Sequence, residues 1–430
     1  MTLPVSRRDF DVFVSHAHVD RAFVDHLYGW LTECAGLNVW YDARQMAGQR
    51  IASGLKNGIE RSRAAIIVGS AEALSRGWVQ QEVDIALDEL SRSQAFRVIV
   101  LRLADAKVDE LIRGLSWIDV PDGKLTPAVA ASILMGFHPV ERWPDPSTSR
   151  DVYVSASWQS SDNASAVAVC RRLAAAGFRL IGDSKTQRGF SGDRIASIMG
   201  SCGAVVVVIP YRGSDRARAG EAPYKYFLQE HDQAEALQLP LLAIADPRIR
   251  REDGDDNSWY RMPTDADTCP PEIEAGIEAL WEKWREPAHG HLVFYATDLA
   301  SDAARRGSDV RRLLELVTGM ATRVGTDIQA RSLQSAIMQA LGEAFLVVAD
   351  ITGTERDRFN IDVCIEAGMA IAMGSNLELM AAGEPRSPPF MLRECGQLTT
   401  YRDAVEQLGK IRRIAWGFRR RVINTELNSP

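Results

Sequence analysis

The stretch Asp11-Val-Phe-Val-Ser15 decides the fold, because it returns almost unchanged as Asp151-Val-Tyr-Val-Ser155. Each copy is a short apolar run that ends on a serine. Each is followed by an amphipathic helix pattern and then by a second run rich in β-branched residues. Strands of a parallel sheet that helices cover on both faces have this character. The two copies therefore predict two α/β units of the same kind.

The repeat extends beyond these first strands. In the first copy, Gly36-Leu-Asn-Val-Trp-Tyr-Asp42 leads to Gly48-Gln-Arg-Ile51, and in the second, Gly177-Phe-Arg-Leu-Ile-Gly-Asp183 leads to Gly192-Asp-Arg-Ile195. Both contain a strand, an aspartate at its end, a loop, a glycine and a helix start, although the second loop is longer. Matches at this many points predict an internal duplication.

A third α/β pattern completes the chain, with apolar runs at residues 291–295 and 344–349. A chain of 430 residues is too long for one hydrophobic core. Proline and turn formers at 138–148 indicate one linker, and we interpret 246–290, with its short helix from Pro271 to Arg285, as a second. We predict an α/β protein of three consecutive flavodoxin-like or Rossmann-like parallel-sheet domains, at residues 1–138, 150–286 and 290–430.

The bulk composition excludes several classes of protein. A formal net charge of −7 disfavours a nucleic-acid binder, because neutralising phosphates needs a basic surface. No apolar stretch approaches the roughly 20 residues of a membrane helix, and the first residues lack the apolar core of a signal peptide. The six cysteines stand singly, without the spacing of a zinc site. We expect a cytoplasmic protein without a metal, and with neither nucleic acid nor a membrane as partner.

Cations crowd the last predicted helix. They are Lys410, Arg412, Arg413, Arg419, Arg420 and Arg421. We expect these side chains to form a solvated helix face, because positive charge is favourable near the C-terminus of a helix.

A set of motifs runs along the whole first unit. In chain order it consists of Asp11 to Ser15, Asp20, Val39 to Asp42, the loop through Gly48, Ile66 to Val68, Ser70, Trp78 to Glu82 and Trp117 to Asp119. With these residues the unit resembles the bacterial kind of Toll/interleukin-1 receptor (TIR) domain. The resemblance implies a flavodoxin-like sheet with a mobile loop at 42–50 that gates the site. It also implies that Glu82 occupies the position of the catalytic glutamate of NAD-cleaving members. The loop departs from the family where it reads Met46-Ala47-Gly48, since many relatives have proline before the glycine.

The chemistry of this unit can also be argued from its residues. Ser15, Asp42 and Ser70 follow predicted strands, and open α/β sheets bind ligands at the carboxyl ends of their strands. Trp78 and Glu82 are four residues apart on the next helix and therefore share a face. A carboxylate at that edge can offset the positive charge that a ribosyl fragment develops when nicotinamide leaves. We assign catalysis to Glu82 and substrate binding to the other four.

Arg50 is a fifth candidate for substrate binding, and both it and Glu82 have a plainer alternative. Arg50 is a candidate for holding the diphosphate of the substrate, but a solvated loop arginine has the same sequence signature. A single glutamate near the start of a surface helix, such as Glu82, is commonly solvated or merely favourable to the helix dipole. NAD+ enters this account as a substrate, and no separate cofactor is expected.

The second unit resembles a diverged TIR domain. Its Tyr226-Phe-Leu-Gln-Glu230 keeps an aromatic residue and a glutamate at the spacing of Trp78 and Glu82. Its loops at 156–162 and after Asp183 depart from those of the first unit. We expect an inactive, scaffolding copy.

The third unit resembles the nucleoside 2-deoxyribosyltransferase family over about half its length. Asp350 ends a predicted strand, Asn360 follows, and Glu366-Ala-Gly-Met-Ala-Ile-Ala-Met-Gly374 has the spacing of that family. In those transferases the glutamate attacks the sugar carbon. Close helix packing also explains the small residues of the motif. We predict a secondary nucleotide site at Asp350, Asn360 and Glu366.

These features lead to three hypotheses. The first is a TIR effector that cleaves the nicotinamide–ribose bond of NAD+ in antiviral defence, as a homo-oligomer whose third unit senses a nucleotide signal or sets assembly. The second is a non-catalytic TIR protein that recruits partners. The third places glycosyl transfer at Glu366 and makes the first unit structural.

Overall fold

The chain forms three parallel five-stranded sheets with interleaved helices, which makes it an α/β protein of three flavodoxin-like units. The computed structural model describes residues 8–41, 51–75, 77–93, 95–104, 106, 115–137, 150–157, 163–182, 192–213, 224–250, 258–263, 265–287, 292–298, 301–325, 333–353, 359–383, 389, 392 and 398–419. Counted within its own unit, every sheet has the strand order 2-1-3-4-5. We call the three sheets and their helices unit one, unit two and unit three.

Unit one contains five strands and five α-helices within the described residues. They are β1 Phe10–Ser15, α1 Arg21–Gly29, β2 Val39–Tyr41, α2 Ile51–Glu60, β3 Ser62–Gly69, α3 Ala71–Ser75, α4 Gly77–Arg92, β4 Arg97–Leu103, β5 Trp117–Val120 and α5 Pro127–Phe137. A π-helical turn, Trp30–Cys34, continues α1. Every residue of β3 except Arg63 is buried, as the uninterrupted apolar run predicts for a central strand.

Unit two repeats this arrangement. Its described elements are β6 Arg150–Ser155, α6 Asn163–Ala175, β7 Phe178–Ile181, α7 Gly192–Gly200, β8 Ala204–Ile209, α8 Lys225–Ala236, β9 Leu241–Ala245, β10 Tyr260–Arg261 and α9 Pro271–Lys283. All six residues of β8 are buried. Burial of each Val or Ile side chain contributes about 1.5–3 kcal/mol, so this strand anchors the sheet.

The segment 246–290, which we interpreted as a linker, is largely part of unit two. Strand β10 pairs with β9 as the edge of the sheet. Ile273, Ile277 and Leu280 of α9 join the core beneath the sheet. The interpretation was wrong because a strand of two residues, such as β10, leaves no detectable periodicity in the sequence. The acidic residues around 253–256 also gave the segment the composition of a linker.

Unit three is built from β11 Leu292–Ala296, α10 Ser301–Thr318, β12 Ala321–Val324, α11 Leu333–Glu343, β13 Ala344–Asp350, α12 Ile361–Ala372, β14 Asn376–Ala382, β15 Leu398–Tyr401 and α13 Ala404–Arg419. One face of its sheet packs against α12 and the other against α13. The predicted linker at 138–148 lies outside the described residues, and the division into independent domains stays a prediction.

Helix α13 joins unit three to unit one. Its Gly409 approaches Cys34 so closely that a Cβ atom there would lie 2.8 Å from the Cys34 Cβ. Arg412 is buried, and its Nη1 donates to the Ala35 carbonyl at 2.7 Å. Lys410 and Arg413 both donate to the Glu33 carbonyl at 3.3 Å. The expected solvated cation face was therefore wrong for Arg412, because the last carbonyls of a helix lack partners and a neighbouring guanidinium supplies one.

The other composition-based expectations concern thiols and membranes. The five described cysteines form no disulfide, and Cys34, Cys170 and Cys202 are buried. Across the described parts of the chain, every helix falls short of the length and apolar content needed to cross a membrane.

Candidate functional site

The candidate site of unit one lies where the strand order of the sheet reverses. Strand β1 pairs with β2 on one side and with β3 on the other, so the connections leave β1 and β3 in opposite directions. This switch point at the carboxyl ends of the strands opens a crevice in doubly wound sheets. Ser15 is the last residue of β1, and Ser70 follows the last residue of β3.

Ser15 and Glu82 form a buried hydrogen-bonded pair at this edge. The Ser15 hydroxyl donates to Glu82 Oε2, and each residue is 2% exposed. Helix α4 supplies Glu82, and it packs Val83 and Ala86 against Phe13 of β1. Residues 13 and 15 of a strand point to the same face, which is why Ser15 meets this helix. Glu82 is therefore a buried group, unlike the solvated glutamate of the plainer alternative.

Ser70 joins a different carboxylate, that of Asp20. The Ser70 hydroxyl donates to Asp20 Oδ2 at 2.6 Å, and the Ala73 amide donates to Ser70 Oγ at 3.1 Å. Burial raises the pKa of Asp20, while the hydrogen bond from Ser70 and the nearby His16 lower it in part. Sequence reasoning gave Asp20 no role, although its place directly before α1 marks it as a residue of the same edge.

An open cleft of about 600 Å³ lies beside Asp20. One wall is the start of α1, and the other is the turn that precedes α5. The lining side chains include Val19, Phe23, His26, Lys124 and Leu125. Ser15, Ser70 and Glu82 are not among its lining residues, so this cleft borders the edge of the sheet at Asp20 and does not enclose the buried pair.

The end of strand β2 is aromatic. The ring of Tyr41, the last residue of β2, lies 5.2 Å from the ring of His16 and 5.3 Å from that of Tyr28. Its hydroxyl donates to Asp25 Oδ1 at 2.7 Å. These contacts hold the end of β2 against α1, which positions the point where the chain continues towards residue 42.

The remaining predicted residues of unit one are only partly visible. Asp42 and Arg50 lie outside the described residues. Trp78 lies in the first turn of α4, one turn before Glu82, but nothing is described of its side chain. The structure thus brings Ser15 to Glu82 and Ser70 to Asp20, and both pairs lie at the carboxyl edge.

Unit two has the same residues at the equivalent positions but connects them differently. Ser155 ends β6, and Glu230 lies on α8, four residues after Tyr226. Both Ser155 and Glu230 are buried. Ser155 Oγ has no hydrogen-bond partner among the described residues. Arg212, which follows β8, instead donates to Ser157 Oγ at 3.0 Å and to Tyr226 Oη at 3.5 Å.

In unit three, both carboxylate oxygens of Asp350 accept hydrogen bonds from neighbouring side chains. Its Oδ2 accepts from Tyr401 Oη at 2.7 Å and from Gln407 Nε2 at 2.6 Å, and Tyr295 Oη donates to it at 3.4 Å. Its Oδ1 accepts from the Thr352 hydroxyl at 2.5 Å. The three partners of Oδ2 lie on β11, β15 and α13, so Asp350 fastens α13 to the sheet.

Asn360 and Glu366 belong to the other face of this sheet, on and before α12. Asn360 Oδ1 accepts from the Val363 amide at 3.1 Å, which is the contact of a helix N-cap. Glu366 is half-buried, and its Oε2 has no hydrogen-bond partner within the described part of the chain. Burial, and then the charge of Asp362, raise its pKa to about 7. The hydrogen bonds of Asp350 thus lead away from Glu366 to the opposite face.

One further cluster lies on α8. His231, Asp232 and Glu235 hold their ligand atoms within 4.8 Å of one another, but both carboxylates are exposed. His231 packs its ring at 6.1 Å from Trp259, as expected of a core histidine.

Comparison with known proteins places the N-terminal unit in a family. A family model described as TIR domain matches residues 12–132. A stretch of 77 residues is 34% identical to an NAD(+) hydrolase, TcpA, of Theionarchaea archaeon (strain DG-70-1), covering 18% of this chain and 23% of that protein. A stretch of 85 residues is 31% identical to the 2' cyclic ADP-D-ribose synthase AbTIR of Acinetobacter baumannii (strain 1295743), covering 19% of this chain and 31% of that one.

A third relative is also an NAD(+) hydrolase. A stretch of 91 residues is 35% identical to the NAD(+) hydrolase PdTIR of Paracoccus denitrificans (strain Pd 1222), covering 21% of this chain and 30% of the relative. The matched stretches span less than a third of the length of each of these relatives. Residues 12–132 of unit one thus match the TIR domain family, and the relatives named are two NAD(+) hydrolases and a 2' cyclic ADP-D-ribose synthase.

Proposed function

We propose that unit one cleaves the bond between nicotinamide and ribose in NAD+, with Glu82 as its catalytic carboxylate. The observation that carries the proposal is the buried pair of Ser15 and Glu82 at the switch point of the sheet. Both residues lie within the segment that matches the TIR family, and the named relatives support NAD+ as the substrate.

The departure of nicotinamide from NAD+ needs no acid catalyst. When the C1′–N bond breaks, its electron pair goes to the pyridinium nitrogen, so nicotinamide leaves as a neutral molecule. The ribosyl carbon develops positive charge as an oxocarbenium ion. A carboxylate at the ribose stabilises that charge, most strongly where water is excluded and the local dielectric constant is low. Water then adds to C1′ and loses a proton, which gives ADP-ribose; attack by a hydroxyl of the same molecule gives a cyclic product instead.

Ser15 acts through Glu82 in this proposal. Its hydroxyl donates to one carboxylate oxygen and so fixes the orientation of the group before the substrate binds. Asp42, Arg50, Ser70 and Trp78 remain proposed lining residues. Ser70 contributes by holding Asp20 at the edge of the cleft.

The proposal extends to the setting in which the enzyme works. The TIR resemblance suggests an effector of antiviral defence that acts as a homo-oligomer. The resemblance of unit three to nucleoside 2-deoxyribosyltransferases suggests that this unit responds to a nucleotide. Within unit three, Glu366 gives the strongest support for a nucleotide ligand, because its half-buried carboxylate lacks a hydrogen-bond partner among the described residues.

The test is nicotinamide release from NAD+ by the purified full chain, alone and with candidate nucleotides as activators. We expect release that Glu82→Ala abolishes and Glu366→Ala retains. Asp88→Asn is a matched control, because it removes an exposed negative charge from the same helix. Release lost in Glu366→Ala but kept in Glu82→Ala would support glycosyl transfer in unit three. No release under any of these conditions would favour a non-catalytic recruiting protein.

A further inference from the structure

The crevice of unit two differs chemically from that of unit one, although both lie at the same point of the same topology. In unit two the switch point lies between β6 and β8. Ser155 ends β6, Ser157 follows two residues later, and Arg212 follows β8. Each of these residues therefore lies at the edge where a doubly wound sheet opens to a ligand.

The groups gathered there are mainly hydrogen-bond donors. Arg212 Nη2 donates to Ser157 Oγ and to Tyr226 Oη, and its guanidinium lies 5.8 Å from the ring centre of Tyr226. The pKa of Tyr226 is raised to about 12, chiefly by burial, so its hydroxyl keeps its proton at neutral pH. One guanidinium and two hydroxyl groups thus lie within hydrogen-bond distance of one another.

The buried hydroxyl of Ser155 has no hydrogen-bond partner within the described fold. Its side chain is 2% exposed, yet its hydroxyl makes no hydrogen bond to any described residue. A buried polar group without a partner costs about 1–3 kcal/mol, and such groups are rare in folded proteins. In unit one the equivalent Ser15 uses its hydroxyl on Glu82. A ligand with acceptor oxygens would satisfy Ser155.

We propose that unit two binds a nucleotide, with a phosphate group held by Arg212 and by the hydroxyls of Ser155, Ser157 and Tyr226. A guanidinium beside hydroxyl donors matches the oxygens of a phosphate. Glu230 is buried one turn after Tyr226 and acts electrostatically on it, so a carboxylate lies beside these donors, on the side where a ribose would follow the phosphate. This assigns a ligand to a unit that its sequence alone presents as a scaffold.

The role of the carboxylate decides between a nucleotide and free phosphate. A site built from Arg212 and hydroxyls alone would take inorganic phosphate or pyrophosphate equally well. The nearby Glu230 disfavours a bare anion by repulsion and rewards a ligand that brings a hydroxyl to it. A nucleotide such as ADP-ribose or AMP carries both groups.

The experiment is isothermal titration of the full chain with ADP-ribose, AMP and pyrophosphate. We expect ADP-ribose or AMP to bind at least tenfold more tightly than pyrophosphate. Arg212→Gln should weaken nucleotide binding at least tenfold, and Ser155→Ala and Tyr226→Phe severalfold each. Arg172→Gln is the matched control, since it removes an exposed arginine of unit two, paired with Glu274, and should change nothing. The melting temperature of each variant shows whether it folds.

Three results would overturn the proposal. They are no binding of any nucleotide at millimolar concentration, binding that the Arg212→Gln variant retains while folded, or pyrophosphate binding as tight as that of the nucleotides. A nucleotide site that Glu82→Gln removes and Arg212→Gln spares would lie in unit one and would also contradict it. Because the assay measures binding, its outcome is separate from whether unit one cleaves NAD+.

Discussion

Units one and two place a serine and a glutamate at the same positions of the same topology, and the two pairs behave differently. Ser15 donates to Glu82, whereas Ser155 has no hydrogen-bond partner among the described residues. Arg212 follows β8 and donates to Ser157 at the strand ends of unit two, while the corresponding residues after β3 in unit one begin with Ser70. A positive guanidinium is unfavourable beside a developing oxocarbenium ion and favourable beside a phosphate. In our two proposals, this one added cation distinguishes the cleavage site of unit one from the binding site of unit two.

The comparison continues at the opposite, amino-terminal edge of the two sheets. Asp11 and Asp151 stand at equivalent places, and each pairs with an arginine. Arg179 donates twice to Asp151, at 2.6 Å each, and both side chains are almost fully buried. Arg63 lies 3.2 Å from Asp11 in a partly exposed pair.

The largest effect on stability is expected at the buried pair. Arg179→Met leaves the Asp151 carboxylate buried without its counter-charge, which should cost about 3–5 kcal/mol. The matched change Arg63→Met should cost less than about 1 kcal/mol, because water screens an exposed pair. Hydrogen exchange of the amides of β6 and β1 measures each loss locally. Equal losses in the two strands would contradict the difference in burial.

The units also differ in what covers the turn after their first helix. Gly36 has φ +67°, and a Cβ there would lie 3.1 Å from Arg413 Cγ of unit three. Gly177, its equivalent, has φ +96°, and a Cβ would lie 3.2 Å from Trp281 of the same unit. Unit two closes this turn with its own last helix, while unit one relies on α13.

A change at α13 should therefore destabilise unit one. Arg412→Met keeps the apolar stem but removes the donor to the Ala35 carbonyl, and we expect a loss of about 1–3 kcal/mol. Hydrogen exchange in α1 should rise, and that in α6 of unit two should not. Arg402→Met, which removes an exposed arginine of the same unit, serves as control. An unchanged α1 would show that the contact contributes nothing.

The third glutamate, Glu366, should make the melting temperature of the protein depend on pH. Its folded pKa of about 7 lies above the ordinary value of 4.5, so the folded state favours the protonated form. Stability from this group is complete below about pH 4.5 and is lost as the pH rises to 7. The Glu366→Gln variant should therefore have the same melting temperature as the wild type at pH 4.5. At pH 8 its melting temperature should be roughly 2–4 °C higher. A gap independent of pH would contradict the role of burial.

Much of this fold follows from local patterns. The apolar runs that end at Ser15 and Ser155 predicted β1 and β6, and strand ends predicted that Ser15 and Ser70 would reach one edge. Spacing on a helix predicted that Glu82 and Trp78 share one face of α4, and the structure buries Glu82 against Ser15 of β1. These features depend on neighbours within a few residues, which is why a single sequence contains them.

Contacts between distant parts of the chain were not predictable in this way. Arg412 was expected in solvent, and its partner carbonyl lies 377 residues earlier. Asp350 was expected to face a nucleotide, but Tyr401 and Gln407, 51 and 57 residues later, occupy its Oδ2. Ser70 was expected at this edge, but that its hydroxyl donates to Asp20 could not be read from the sequence. Periodicity shows which face of an element is buried, but it does not identify the partner.

A double-mutant cycle on Ser15 and Glu82 tests the central claim most directly. We expect Glu82→Gln to lower the rate of nicotinamide release by about 10²–10³-fold, as for the loss of one electrostatic stabiliser. Ser15→Ala should cost about tenfold in the wild type and almost nothing in the Glu82→Gln background, because Ser15 acts through the carboxylate. Independent, multiplying effects of the two changes, or full activity of Glu82→Gln, would contradict the account.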